Sequence, residues 1–296
     1  MDRFEAMRTL VAAVDGGSLS AASRALGVPL PTVSRRVSDL EAHLRAQLVI
    51  RTSRKLLLTD AGRAFVATCR RVLEQLDEAE RAASGEYGAP RGELLITAPV
   101  MFGRLHVEPV VLDFLKIYPE INVRLLLADY FIDLVENHVD LALRIGNLPD
   151  SSLIAAQLGA VHWVTCASPD YLARRGTPAT PRDLARHDCI AFEGLYASNH
   201  WSFGTAKAAI TVPIAPRFAV NTALGAIDAA IAGAGIARVL SYQVDQAIAE
   251  GRLTLVLREF QPDPIPVHFV HTAAALIPLK LRAFKDFAMT RLRGRL

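Results

Sequence analysis

Residues 17–44 read GSLSAASRALGVPLPTVSRRVSDLEAHL, and the spacing within this stretch predicts two short helices joined by a tight turn. Ser18 or Ser20 is suited to cap the first, a small-residue helix carrying Ala21, Ala22, Ala25 and Leu26 and closed by Gly27. Gly27-Val28-Pro29 makes the turn. Pro31 then stands at a first helical position, and Val33, Val37, Leu40 and Leu44 follow at helical spacing on one face. The other side presents Thr32, Ser34, Arg35, Arg36 and Ser38, short polar groups beside guanidinium forks. That composition suits the base edges and phosphates of a DNA major groove.

Upstream, Phe4, Met7, Leu10, Val11 and Val14 recur at helical spacing until Gly16-Gly17, which gives a third helix to pack on the pair. Downstream, LVIRTSRKLLLT (48–59) reads as two short strands around a basic tip of Arg51, Arg54 and Lys55, a wing. From Thr59 to about Tyr87 there is no proline, and the glycines are Gly62 near the start and Gly85 near the end. Over that span Phe65, Val66, Cys69, Val72, Leu73, Leu76 and Ala79 form an apolar stripe. A helix over 59–87 would be about 43 Å long, too long to serve one small domain, and its stripe is suited to a second copy of the chain. Gly85, Gly88, Pro90 and Gly92 mark a hinge at and beyond its end.

The charge distribution agrees with this reading. The 296-residue chain has a formal net charge of only +3, yet nine basic residues face five acidic ones within 1–58, a local net of +4. Beyond the hinge, strand patterns alternate with helical ones: ELLITAP, a helix over 101–117, INVRLLL, a helix over 131–138 and DLALRIG. A second set runs through HWVTCAS, a helix near PDYLARRG, CIAF, strands within 201–220, a helix over 222–233, GIARVL, RLTLVL and IPVHFVH, with a final helix to about 293. This order predicts a parallel sheet covered by helices.

Several function classes are excluded or demoted. Hydrophobic residues make up 51% and charged residues 21%, the balance of a folded chain. Cys69, Cys166 and Cys189 are widely spaced without CxxC pairing, so neither a disulfide framework nor a zinc site is expected. They read as buried small apolar residues, with a redox switch as the sharper alternative. The eight histidines include no HxH or HExxH, and there is no GxSxG elbow or glycine-rich phosphate loop; no metal, cofactor or catalysis is expected. Asp2, Arg3 and Glu5 interrupt the first apolar run and no stretch is long enough to span a bilayer, which points to a cytoplasmic protein with no membrane partner.

The stretch 17–44, followed by RTSRKLLLTDAG (51–62), resembles the signature of the LysR family of bacterial transcription regulators. APVMFGR, FLKIYPEINVRLLLAD, DLVENHVDLALRIGNLPDSSL, ASPDYL, HDCIAF and AGAGIA are similar to blocks of its effector domain, so the likeness covers nearly the whole chain. It implies a winged helix-turn-helix over 1–58 and a linker and dimerisation helix over 59–88. It also implies a periplasmic-binding-protein-like α/β domain over 89–296, with lobe 1 at about 92–162 and 267–296 and lobe 2 at about 163–266. Homodimers and homotetramers, double-stranded operator DNA, a small-molecule effector and contact with RNA polymerase are implied as partners. Carried onto this sequence, the residues expected at DNA are Leu30, Pro31, Thr32, Ser34 and Arg35, with Arg51 and Arg54 on or beside the wing; Arg36 reads equally as a phosphate contact or a solvated charge. Three positions depart from the family pattern: Pro29-Leu30 where Ser-Gln is common, Arg45 where a glycine usually ends the helix, and Val49 where an aromatic residue is common.

For the effector, a strand running into a helix start at Pro99, Val100, Met101 and Phe102 offers backbone amides to an anion, so a carboxylate is expected. Met101 stands where relatives offer a serine. Arg144, Ile145, Gly146, Ser168, Glu193, Asn221 and Arg238 are further candidates by position. Arg144 and Arg238 read as well as structural ion-pair partners, Asn221 as a helix cap, and Met101 and Phe102 as packing residues. Two other functions stay open: a solute-binding protein that uses no DNA, and a redox-responsive regulator.

Overall fold

The computed structural model describes residues 1–51, 56–83, 89–192, 200–205, 209–273 and 277–294. They form two compact units, Met1–Ala89 and Pro90–Leu296.

The first unit opens with α1 (Arg3–Asp15), whose first amides, Phe4 and Glu5, donate to the Asp2 carboxylate. In α2 (Leu19–Leu26), Ser18 accepts from the Ala21 amide at 3.1 Å and Gly27 closes the helix at φ +65°. The third helix, α3 (Leu30–Leu44), has no side-chain cap: Pro29 supplies only its carbonyl, to the amides of Thr32 and Val33. Val33, Val37 and Leu40 are buried against Ala6, Leu10, Ala13 and Ala22 of the preceding helices. Each lies within a core packed closely enough that losing a few methylenes costs kilocalories.

The exit from α3 is specified by two residues. Arg45 takes the left-handed conformation, φ 53° and ψ 34°, where a glycine carries no Cβ penalty. The Glu41 carboxylate then accepts from the amides of Leu48 (2.8 Å) and Val49 (3.0 Å), so the last turn of α3 holds the first strand. β1 (Val49–Arg51) and β2 (Leu56–Leu58) pair antiparallel, Val49 opposite Leu58 and Arg51 opposite Leu56. The tip between them, with Arg54 and Lys55, lies outside the described residues. α4 (Asp60–Ala83) is capped by Thr59 and passes so close to β1 that a Cβ on Gly62 would sit 2.0 Å from the Leu48 carbonyl oxygen. Its 24 residues span about 36 Å; the last residues of the expected 59–87 helix, with Gly85 and Gly88, lie outside the described residues. Val66, Cys69 and Leu73 of its stripe are buried, while Phe65, Val72 and Leu76 are half-buried. Ion pairs Arg8–Asp77 and Arg70–Asp15 join α4 to α1.

The second unit contains two five-stranded sheets. The first has the order β4-β3-β5-β14-β6, from β3 (Gly92–Ala98), β4 (Ile121–Leu127), β5 (Leu141–Ile145), β6 (Leu153–Val161) and β14 (Ile265–Thr272). The second has the order β11-β8-β12-β7-β13, from β7 (Trp163–Ala167), β8 (Cys189–Phe192), β11 (Pro216–Val220), β12 (Ile236–Leu240) and β13 (Thr254–Val256). The hairpin β9 (His200–Phe203) and β10 (Ile210–Pro213) stands beside the second sheet's helices. The chain leaves the first sheet between β6 and β7 and returns to it at β14, so each sheet forms one lobe.

Two expectations are corrected. The sheets are mixed rather than parallel: β14 runs antiparallel to β5 and β6, and β7 antiparallel to β12 and β13. A βαβ reading cannot anticipate this, because these strands arrive by crossing between lobes rather than through a crossover helix. The helix expected over 131–138 is instead a run of turns. Asp133 caps the amides of Val135 and Glu136, and His138, at φ 56°, ends the single turn before Val139 reaches back to the Leu134 carbonyl. The helix expected over 101–117 is present as α5 (Val100–Phe102), a wide π-turn (Gly103–Val107) and α6 (Glu108–Ile117). Pro109, which has no amide to donate, sits just past the wide turn. α7 (Pro169–Arg175), α8 (Ala223–Ile231) and α9 (Ser241–Ala249) accompany the second sheet, and α10 (Leu279–Arg293) packs Phe284 edge-on against Phe114 of α6 at 5.1 Å.

Arg45→Gly relieves a left-handed conformation on an exposed residue and should raise stability by about 0.5–1 kcal/mol, whereas Gly62→Ala forces backbone apart and should cost about 1–3 kcal/mol. Calorimetric melting of the intact chain checks both; equal melting for Arg45→Gly and wild type contradicts the first.

Candidate functional site

The burial of Val33, Val37 and Leu40 decides which side chains of α3 reach solvent. Leu30, Pro31 and Arg35 are exposed, Leu30 by 42%, and Thr32 and Ser34 are half-buried beside them. Arg35 has no ion-pair partner among the described residues. Arg36 is placed differently: its Nη1 lies 3.0 Å from Glu5 Oε2 and donates to Thr9 Oγ1 at 3.5 Å, on the flank against α1. The structure therefore brings five of the six α3 candidates onto one outward face and ties the sixth to a neighbouring helix. Arg51 ends β1, and Arg54 lies outside the described residues. Glu41, which holds the start of the wing, was not singled out by sequence reasoning; no motif marks a carboxylate that caps a strand.

The second site is a cavity of about 260 Å³ between the two sheets of the second unit. Thr97, Ala98 and Pro99 at the end of β3, Ala128 to Ile132 after β4, and Leu143 to Ile145 of β5 line it from the first sheet. Trp163, Phe192, Leu240, Tyr242 and Gln243 line it from the second. Of the expected effector residues, Pro99, Arg144 and Ile145 line this cavity. Arg144 donates from Nη2 to the Ile132 carbonyl at 2.6 Å and its guanidinium lies 3.6 Å over the Phe131 ring.

The remaining candidates sit elsewhere. Met101 and Phe102 are buried in the core, Phe102 edge-on to Tyr242 at 5.2 Å. Gly146 occupies a turn at φ +124° and donates to the Pro266 carbonyl. Ser168 caps α7 by accepting from the Tyr171 amide, and Asn221 precedes Thr222, which is the residue that caps α8. Arg238 donates to the Ser202 carbonyl at 2.6 Å between Trp163 and Phe203, and burial pulls it down to about 10. Glu193 lies outside the described residues.

Sequence reasoning missed Asp129. Its Oδ1 accepts from the Val100 amide at 3.0 Å, so the helix start expected to hold an anion is already met by a carboxylate of the chain itself. Burial raises this carboxyl above the ordinary aspartate value, with the Val100 bond lowering it in part. The signal was its place two residues past the end of a parallel strand, since ligands of open α/β sheets gather at carboxyl ends of strands. The cysteines are all buried, and burial pushes Cys69 and Cys189 up to about 11 and Cys166 to about 12, away from the thiolate a redox switch needs. Among the described residues no helix is long and apolar enough to cross a membrane.

Residues 4–63 match the family model of the bacterial regulatory helix-turn-helix protein, lysR family, and residues 88–293 match the LysR substrate binding domain. The chain belongs to the LysR family. An HTH-type transcriptional regulator of Xanthomonas campestris pv. campestris is 34% identical over 95% of this chain and 83% of its own length. An HTH-type transcriptional repressor of Pseudomonas aeruginosa is 34% identical over 98% of this chain and 92% of its own. The solved structure of CrgA, a LysR-type transcriptional regulator from Neisseria meningitidis, superposes with a TM-score of 0.63 at 32% identity, covering 97% of this chain and 98% of that one. The protein is accordingly a LysR-type transcriptional regulator with a helix-turn-helix unit and an effector-binding domain; its relatives are named as regulators and not as enzymes.

Because the folded value of Asp129 is raised, the stability linked to its protonation is present in acid and lost as pH rises through that value. Asp129→Asn keeps an oxygen for Val100 and removes the buried charge. Its melting temperature should equal or exceed that of wild type at pH 7, with the difference shrinking as pH falls through the carboxylate range; a lower melting temperature at pH 7 contradicts this.

Proposed function

We propose that the protein binds operator DNA through the outward face of α3, with a small effector in the cavity of the second unit modulating that binding. The observation that carries the reading is the exposed row of Leu30, Pro31 and Arg35, with Thr32 and Ser34 beside it, opposite a fully buried Val33–Val37–Leu40 seam. Arg35, exposed and without an ion pair among the described residues, is the group suited to guanine O6 and N7. Leu30 is placed for a thymine methyl, and the family resemblance adds Arg51 and Arg54 as contacts to the phosphate backbone. Arg36, already paired with Glu5, adds positive field and orients α3 more than it reads bases.

The half-buried apolar positions Phe65, Val72 and Leu76 of α4 favour pairing with a second copy, giving homodimers and, by further association, a homotetramer. Two α3 helices held in this way suit an interrupted palindrome. The effector is a small carboxylate whose anionic end meets Arg144, because Asp129 already occupies the Val100 amide. Ligand binding acts by shifting the two lobes, and the coupling is limited by its difference in affinity for the two arrangements.

Binding to the protein's own upstream intergenic DNA across a salt series tests the DNA role. Specific binding should weaken steeply with salt, and Arg35→Ala should lose about 1–3 kcal/mol of it with relaxed sequence preference. Arg36→Ala should weaken specific and random duplexes to similar, smaller extents. Feeble binding to every duplex, unchanged by Arg35→Ala, would contradict the reading.

A further inference from the structure

We propose that the cavity selects an amino carboxylate, a small and largely apolar molecule whose carboxylate meets Arg144 and whose ammonium group meets Asp129. The proposal rests on reading this cavity as the effector site.

Among the described residues that line the cavity, Asp129 and Arg144 are the two side chains charged at neutral pH, and they are of opposite sign. They are not paired with each other. The Asp129 carboxyl meets the Val100 amide, and no cation among the described residues neutralises it. Arg144 is held by the Ile132 carbonyl and the Phe131 ring. Capping Val100 requires an oxygen and not a charge; an asparagine or serine would supply it without the desolvation cost of a carboxylate facing apolar walls. The charge is therefore unused by the fold and is placed where a bound cation would neutralise it.

The rest of the wall fits the remainder of such a ligand. Tyr130, Phe131, Trp163 and Tyr242 offer aromatic surface for an apolar body and for cation–π contact with an ammonium. A volume of about 260 Å³ lies just below the range of sites for drug-sized ligands, which suits a molecule of amino-acid size. The raised Asp129 carboxyl is consistent with a group that costs stability in the empty cleft and repays it on binding.

The test uses the intact protein and three matched sets of probes: the standard apolar α-amino acids, the same molecules lacking the amino group, and the corresponding amines lacking the carboxylate. Binding is read by titration calorimetry and by emission of Trp163, which lines the cavity, in a Trp201→Phe background. The proposal expects at least one amino acid to bind tenfold or more tightly than both its truncated counterparts. Asp129→Asn should then abolish the preference for the amino group while leaving the affinity of the des-amino acid unchanged, and Arg144→Gln should abolish the preference for the carboxylate. Des-amino acids that bind as tightly as amino acids, or an amino preference that survives Asp129→Asn, would overturn the proposal and leave the cavity as an effector site for simple carboxylates. No heat and no change in Trp163 emission with any of the three sets would overturn both.

Discussion

The effector domain depends on the insertion of β14 between β5 and β6. Among the described residues β6 pairs with β14 alone, so the first lobe is complete only when the chain has crossed into the second lobe and returned. Two crossings then join the sheets: one between Val161 and Trp163, where the Ser241 amide donates to the His162 carbonyl, and one leading into Ile265. With both sheets tied in this way, the ends of β3, β4 and β5 face Trp163, Leu240 and Tyr242, and the cavity is a consequence of topology. The antiparallel strands that a strand–helix–strand reading did not anticipate are the same strands that create it.

In the first unit the comparable constraint is helical period. Three apolar residues of α3 are buried at 0–1% exposure, and a helix that buries Val33, Val37 and Leu40 must turn Leu30, Pro31 and Arg35 outward. The supporting residues are less visible. Asp2, Ser18 and Thr59 cap three helices, Glu41 holds the first strand of the wing, and Gly62 allows α4 to lie against Leu48. Each fixes an angle between elements rather than a sequence preference at DNA. Two of the three departures from the family pattern fall at the ends of α3, where Pro29 offers no side-chain cap and Arg45 accepts a left-handed conformation; the third, Val49, opens β1. Neither alters the buried Val33–Val37–Leu40 seam.

Much of this was legible in the sequence because it rests on periodicity and on glycine and proline punctuation. The α3 face, the wing and the strands of both lobes are read from spacing alone. What spacing does not carry is which polar group meets which. Arg36 looks like Arg35 in sequence, and only the position of Glu5 on α1 separates them. Asp129 and Val100 are 29 residues apart and meet because β3 and β4 are adjacent parallel strands. Ser168 and Asn221 attract notice as polar residues at helix starts; one of them is a cap and the other stands next to one. Met101 and Phe102 fall inward because Gly103 packs against Leu127, leaving the wall of the cavity to the loop after β4.

The two units thus divide the work of a LysR regulator: one presents a rigid outward face set by its core, and the other holds a cleft whose walls belong to two joined lobes. Coupling between them requires only that ligand and DNA prefer different arrangements of the same chains, and its size is bounded by those preferences. Operator binding as proposed requires that α3 be the element that meets DNA. Amide hydrogen exchange of the intact protein, with and without its own upstream intergenic duplex at low salt, tests it most directly. Slowed exchange is expected at the first turns of α3, residues 30–36, together with the wing; unchanged exchange there, or protection confined to other parts of the chain, would contradict DNA binding by α3.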